Sequence, residues 1–186
     1  GKAAQSGVLA ALLAKEGFTG ASCILEGERG FCRATASSYD LDKITGGLGR
    51  PPYKVEENSF KIHASCRHTH PAVDVVLELA ARNKIKASDV AGLTIRTYGT
   101  ALNITANHQP DTVYAAKFSL PFCVALALKK GRCGLEDFTP EALADPGIRQ
   151  LMSMMLLVQD DALDSAHPTR WPAAVEITNH NGRVYH

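Results

Sequence analysis

An excess of charge of one sign, a long apolar run and paired cysteines are all missing from this chain, and each absence removes a class of protein. Twenty basic and 19 acidic residues leave a formal net charge of +1 over 186 residues, with the two signs interspersed. No basic stripe is present to follow a phosphate backbone, so no nucleic-acid partner is expected. The longest apolar stretch, Leu120 to Leu128, is far too short to span a bilayer, and no basic segment leading into an apolar one opens the chain. No membrane partner is expected either, and the reading is a cytoplasmic protein. Five cysteines (Cys23, Cys32, Cys66, Cys123 and Cys133) are an odd number without a C-x-x-C pair, which argues against a disulfide framework and a zinc ribbon. Most are expected to be buried thiols.

What is present fits a globular chain: 45% hydrophobic and 21% charged residues, with length for a real core. Gly1 stands where a starting Met would be, and a strand begun at Arg183-Val184-Tyr185 stops at His186, so the chain is expected to be an internal piece of a longer protein.

The spacing of Ala4, Val8, Leu9, Ala11, Leu12 and Leu13 predicts a helix over residues 2–16, stopped by Gly17. Asp40 and its neighbours offer a cap for a short helix near Asp42, and Gly46 to Pro52 then breaks the chain. A boundary is placed here, dividing residues 1–58 from residues 59–186. After an extended entry at residues 60–64, Thr69-His70-Pro71 starts a helix carrying Val73, Val76, Leu77 and Ala80 and ending near Asn83. Leu93, Ile95 and Thr97 alternate with Thr94, Arg96 and Tyr98, the period of a half-buried strand. Asp111 can cap a helix, and Ser119 with Pro121 starts a buried one through Leu128 to Gly131. Thr139-Pro140 and Asp145-Pro146 are further helix starts, residues 153–158 read as a strand, and a hairpin turns at residues 179–182. The fold class is α+β: the end of a helical domain, then helices on a small, mainly antiparallel sheet.

The densest polar constellation is Lys61-Ile62-His63-Ala64-Ser65-Cys66-Arg67-His68-Thr69-His70, immediately before a helix. First-turn amides such as those of Ala72 and Val73 are free to receive an anion. Arg67 adds a planar donor fork, Lys61 a point charge, and His70 a group that exchanges protons near neutral pH. A small polycarboxylate fits better than a phosphate ester, because no Gly-rich phosphate loop precedes the helix. The same residues also serve elsewhere as plain caps and solvated side chains, and periodicity does not separate the two cases. His63, Cys66, His68 and His70 offer zinc-ligand chemistry but lack a second ligand pair and an H-E-x-x-H helix. Cys66 beside histidines also admits a nucleophile reading. Lys117 reads as a helix-surface lysine, His108, His167 and His180 as loop residues, and Trp171 as a packing anchor for the hairpin.

Three stretches carry a resemblance: Gly1-Lys2-Ala3-Ala4-Gln5-Ser6-Gly7 with Gly17-Phe18-Thr19-Gly20; Lys61 to Asp74 with its Thr69-His70-Pro71-Ala72; and Ala116-Lys117-Phe118-Ser119-Leu120-Pro121-Phe122-Cys123 ending at Gly131. With the terminal hairpin, they make the chain similar to the MmgE/PrpD family over nearly its whole length. That family includes 2-methylcitrate dehydratases, cis-aconitate decarboxylases and an iminodisuccinate epimerase. The resemblance implies an α+β lid domain from residue 59, a small polycarboxylate substrate, no metal or organic cofactor, and a homodimer in the full-length protein. It implies a lyase acting by proton abstraction and loss of water. An epimerase of the same family and a non-catalytic carboxylate-binding or dimerisation module remain as alternatives. Lys61 matches the family's active-site lysine, with His70 as the second catalytic candidate. Arg67, Cys66 and Phe122 are the substrate-contact candidates. In many members a tyrosine occupies the position of Phe122, and phenylalanine has no hydroxyl to donate. Further acidic and histidine residues of the family would precede Gly1, so this piece alone is expected to be catalytically incomplete.

Overall fold

The alanine- and leucine-rich opening of the chain winds into helix α1 (Lys2–Lys15), with Gly17 in the left-handed region, φ +89°, just beyond its end. The structure is a computed structural model that describes all residues, 1–186, and it divides into two compact units, Gly1–Asn58 and Ser59–His186. In the first unit α1 is followed by α2 (Phe31–Thr35) and α3 (Leu41–Thr45). Asp40 caps α3, its carboxylate accepting from the amides of Asp42 and Lys43 at 3.0 and 3.4 Å. Helix α1 buries none of its residues.

The second unit begins with a 3-10 turn, Arg67–Thr69, that runs straight into α4 (His70–Asn83). Pro71 sits in the first turn of α4, where its missing N–H costs nothing. The left-handed residue that ends the helix is Lys84, φ +55°, rather than Asn83. Asn83 stays helical because its side-chain amide donates back to the Leu79 carbonyl at 3.0 Å. Strand β1 (Val90–Thr97) buries Leu93, Ile95 and Thr97, as the alternation predicts. Then come α5 (Gly99–Thr105), α6 (Val113–Ala116), α7 (Leu120–Lys130), α8 (Pro140–Ala144) and α9 (Pro146–Ser153). Strand β2 (Met155–Gln159), α10 (Asp161–Asp164) and the hairpin β3 (Ala173–Asn179) and β4 (Val184–Tyr185) complete it. The cap of α6 is Thr112, not Asp111: the Thr112 hydroxyl accepts from the Ala115 amide at 3.0 Å.

The sheet order is β2-β1-β3-β4. Strand β1 lies parallel to β2 and antiparallel to β3, and β3 is antiparallel to β4, so the α+β fold with a mainly antiparallel sheet is the one observed. Helix α4 packs on β3 and α7, and α7 packs on α9. Every residue of α7 from Leu120 to Leu128 is buried, which makes it the axis of the core. Each large apolar side chain so buried contributes about 1.5–3 kcal/mol.

The start of α7 is held by Ser119, fully buried, whose hydroxyl accepts from the Phe122 amide at 3.1 Å and donates to the Asn107 carbonyl at 2.6 Å. Ser119→Ala is expected to cost about 1–3 kcal/mol, by loss of the cap and of the donor to the Asn107 carbonyl. Chemical denaturation checks this, and an unchanged midpoint would show that water replaces both bonds.

Candidate functional site

Residues 61–70 are fastened to both ends of α7. The Ala64 amide donates to the Cys133 carbonyl at 3.1 Å, and the Cys66 amide donates to the Lys117 carbonyl at 2.8 Å. Thr69 is fully buried, its hydroxyl donating to the Cys66 carbonyl and pairing with the Ser65 hydroxyl, both at 2.8 Å. That hydroxyl is therefore not free to cap α4. The helix mouth differs from the open anion site expected from the sequence. Ala72 and Val73 are 1% and 0% exposed, and the preceding chain is already helical. The groups left to meet an anion are side chains.

Two of them converge on one atom. Lys61 Nζ donates to the Ser65 carbonyl at 3.2 Å, and His70 Nε2 approaches the same oxygen at 3.4 Å. A carbonyl only accepts, so Nε2 carries the proton and Nδ1 keeps a lone pair. The His70 ring stands edge-on to His63, centroids 5.0 Å apart, and His63 Nε2 lies 2.7 Å from Asp74 Oδ1. Burial holds the His70 pKa below its ordinary value, and His63 and Lys61 push the same way. The Ser65 carbonyl and Asp74 oppose them. Lys61 is exposed and Arg67 half-buried. Neither has a carboxylate within ion-pair distance, and the Arg67 guanidinium has only a long contact, 3.5 Å, to the Ser59 carbonyl.

Cys66 is half-buried at the head of the 3-10 turn, in the same segment as these cations. Phe122 is not brought to the surface with them: it is fully buried, its ring 5.9 Å from that of Phe138. The four zinc-type donors do not converge, since no group of three or more His, Cys, Asp or Glu is placed to hold a metal ion. Lys117 lies over the Phe138 ring at 5.6 Å. A cavity of about 550 Å³ elsewhere is lined by Lys86, Val90, Lys129, Met154 and His180. Its Lys129 is already paired with Asp145 at 2.7 Å.

The sequence did not reveal a ring cluster built around His68 of the same turn. His68 stacks on Trp171 at 4.5 Å and 5°, and Tyr98 stacks on His167 at 4.5 Å and 15°. His68 Nδ1 and the Tyr98 hydroxyl lie 2.7 Å apart. Trp171 therefore packs on His68 instead of anchoring the hairpin, and His167 is more than a loop residue. The usable signal was His167-Pro168-Thr169-Arg170-Trp171-Pro172, two prolines stiffening a loop that carries two rings.

The model of the MmgE/PrpD C-terminal domain matches residues 63–186, and that of the MmgE/PrpD N-terminal domain matches residues 1–43. The chain belongs to the MmgE/PrpD family. Among curated proteins, this MmgE/PrpD chain is similar to a mitochondrial 2-methylcitrate dehydratase of Yarrowia lipolytica (strain CLIB 122 / E 150), 30% identical over 200 aligned positions. That match takes in 99% of the MmgE/PrpD chain but only 37% of the relative's length. No helix of the chain is long and apolar enough to cross a membrane.

Proposed function

We propose that this chain is the substrate-gathering part of a lyase that removes water from a small polycarboxylate, 2-methylcitrate or a close analogue. One observation carries the reading: Lys61, a cation without a carboxylate partner, shares the Ser65 carbonyl with a histidine whose pKa is lowered, and Arg67, likewise unpaired, lies on the adjoining turn. A multiply charged acid supplies the missing counter-charge. Arg67 grips one carboxylate with its planar fork, and Cys66 contacts the substrate from the turn. The Nδ1 lone pair of His70 takes the proton from the carbon beside a carboxylate. The electron pair left behind forms the C=C bond as the C–O bond breaks, and the departing hydroxide takes up a proton and leaves as water. Lys61 meets the negative charge that builds on the carboxylate in between. Phe122 acts by packing, keeping α7 in shape under the turn that carries Arg67. A homodimeric full-length protein in the cytoplasm belongs to the same proposal. Fractionation against a mitochondrial marker tests the compartment, because the Yarrowia lipolytica relative is named as mitochondrial.

The full-length protein supplied with 2-methylcitrate should develop the ultraviolet absorbance of a conjugated alkene. The acid limb of kcat/KM should fall below the ordinary histidine value of about 6.5. The sign follows from the depressed His70 pKa: the neutral, base-competent ring persists as pH drops past that value and is lost only on further acidification. An acid limb at or above it would remove His70 as the base. A second reading is epimerisation, which uses the same proton abstraction by His70 with reprotonation from the other face. Solvent deuterium entering the substrate with no alkene formed would establish that reading instead.

A further inference from the structure

His68 is fixed as few surface histidines are. The Tyr98 ring and hydroxyl are fully buried, and burial chiefly, with Cys66 nearby, raises the phenol pKa to about 12, so the hydroxyl stays protonated. His68 Nδ1, at 2.7 Å, is the one acceptor within reach of that buried proton, so the hydroxyl donates to it, which puts the His68 proton on Nε2. Trp171 holds the same ring flat from one side, and His167 braces Tyr98. Burial first, then His167, lowers the His68 pKa, which favours the neutral ring. Nε2 has no partner within the protein. It is not sealed off either, because Asn179 Oδ1 is the one buried side-chain polar atom lacking a partner. A single-tautomer N–H donor thus opens outward on the turn that carries Arg67 and Cys66.

We infer that His68 is a specificity-determining donor of the same site: its Nε2–H hydrogen-bonds a carboxylate oxygen of the substrate, with Tyr98, Trp171 and His167 as positioning residues. This rests on the polycarboxylate reading above. A neutral donor suits the task, since it recognises a carboxylate at a set angle without adding a third cation beside Lys61 and Arg67.

The test uses the full-length protein and tricarballylate, a tricarboxylate with no hydroxyl to lose. Long-range proton–nitrogen spectra of histidine-labelled protein should show His68 as the Nε2–H tautomer, with that proton moving downfield as tricarballylate is added. His68→Phe keeps the stack on Trp171 but has no donor, and it should weaken tricarballylate about ten- to a hundredfold. His68→Gln, which restores an N–H, should recover part of the loss. Tyr98→Phe should give mixed tautomers and intermediate affinity, and it serves as the reporter if His68→Phe does not fold. An Nδ1–H tautomer, or wild-type affinity in His68→Phe with loss in Arg67→Ala, overturns the role of His68 and leaves the polycarboxylate reading standing. Wild-type affinity in both variants overturns the two together.

Discussion

Lys61→Ala in the full-length protein lowers kcat by about 10²- to 10³-fold, the range found when one donor facing a developing oxyanion is removed. The effect belongs in kcat more than in KM. Lys61 meets charge that is larger in the transition state than in the bound acid, so its loss raises the barrier more than it weakens binding. The fold should not move. Lys61 is exposed, and its one hydrogen bond, to the Ser65 carbonyl at 3.2 Å, is shared with His70. Thermal unfolding of the variant should overlay that of the parent. A rise in KM alone would reassign Lys61 to uniform substrate binding, and unchanged kinetics would take it out of the mechanism.

Phe122→Ala should cost about 3–5 kcal/mol, the largest stability loss foreseen for a single truncation in this chain. The ring is fully buried in the middle of the core, against Phe138 and among residues of α7 that are themselves sealed from water. Close-packed neighbours relax only in part around such a gap. Against a typical domain stability of about 5–15 kcal/mol, a deletion of this size moves the denaturant midpoint far to the left. Phe122→Leu, which keeps more of the volume, should lose markedly less. Equal midpoints for the alanine variant and the parent would mean that the ring is not packed as described.

Much of the architecture was legible because it rests on local chemistry. Ser119, Thr139 and Asp145 each cap the helix expected of them, and Gly131 closes α7 at φ +71°. The nine apolar residues of α7 announce a helix with no solvent face. Helix α5 was not legible. Its Gly99, Thr100, Ile104 and Thr105 are weak helix formers, and it is held by bonds that no window of sequence shows, such as the Gly99 amide to Asp164 Oδ1 at 2.6 Å. Tyr98 misleads for a related reason. Counted along the strand it falls on the open face with Thr94 and Arg96, yet β1 stops at Thr97 and the chain turns, carrying the ring inside. The meeting of Lys61 and His70 at the Ser65 carbonyl involves residues only nine positions apart, so both stand in one short segment of sequence. The His68 cluster was not legible, because its rings come from positions 68, 98, 167 and 171.

The central strand β1 takes both of its neighbours from late in the chain, β2 at residues 155–159 and β3 at residues 173–179. During synthesis its backbone donors and acceptors must wait until those segments have left the ribosome. Closing such long loops carries an entropy penalty that local helices do not face. The bare margins of a nascent strand invite pairing with other molecules, so β1 is exposed to such pairing until β2 and β3 arrive.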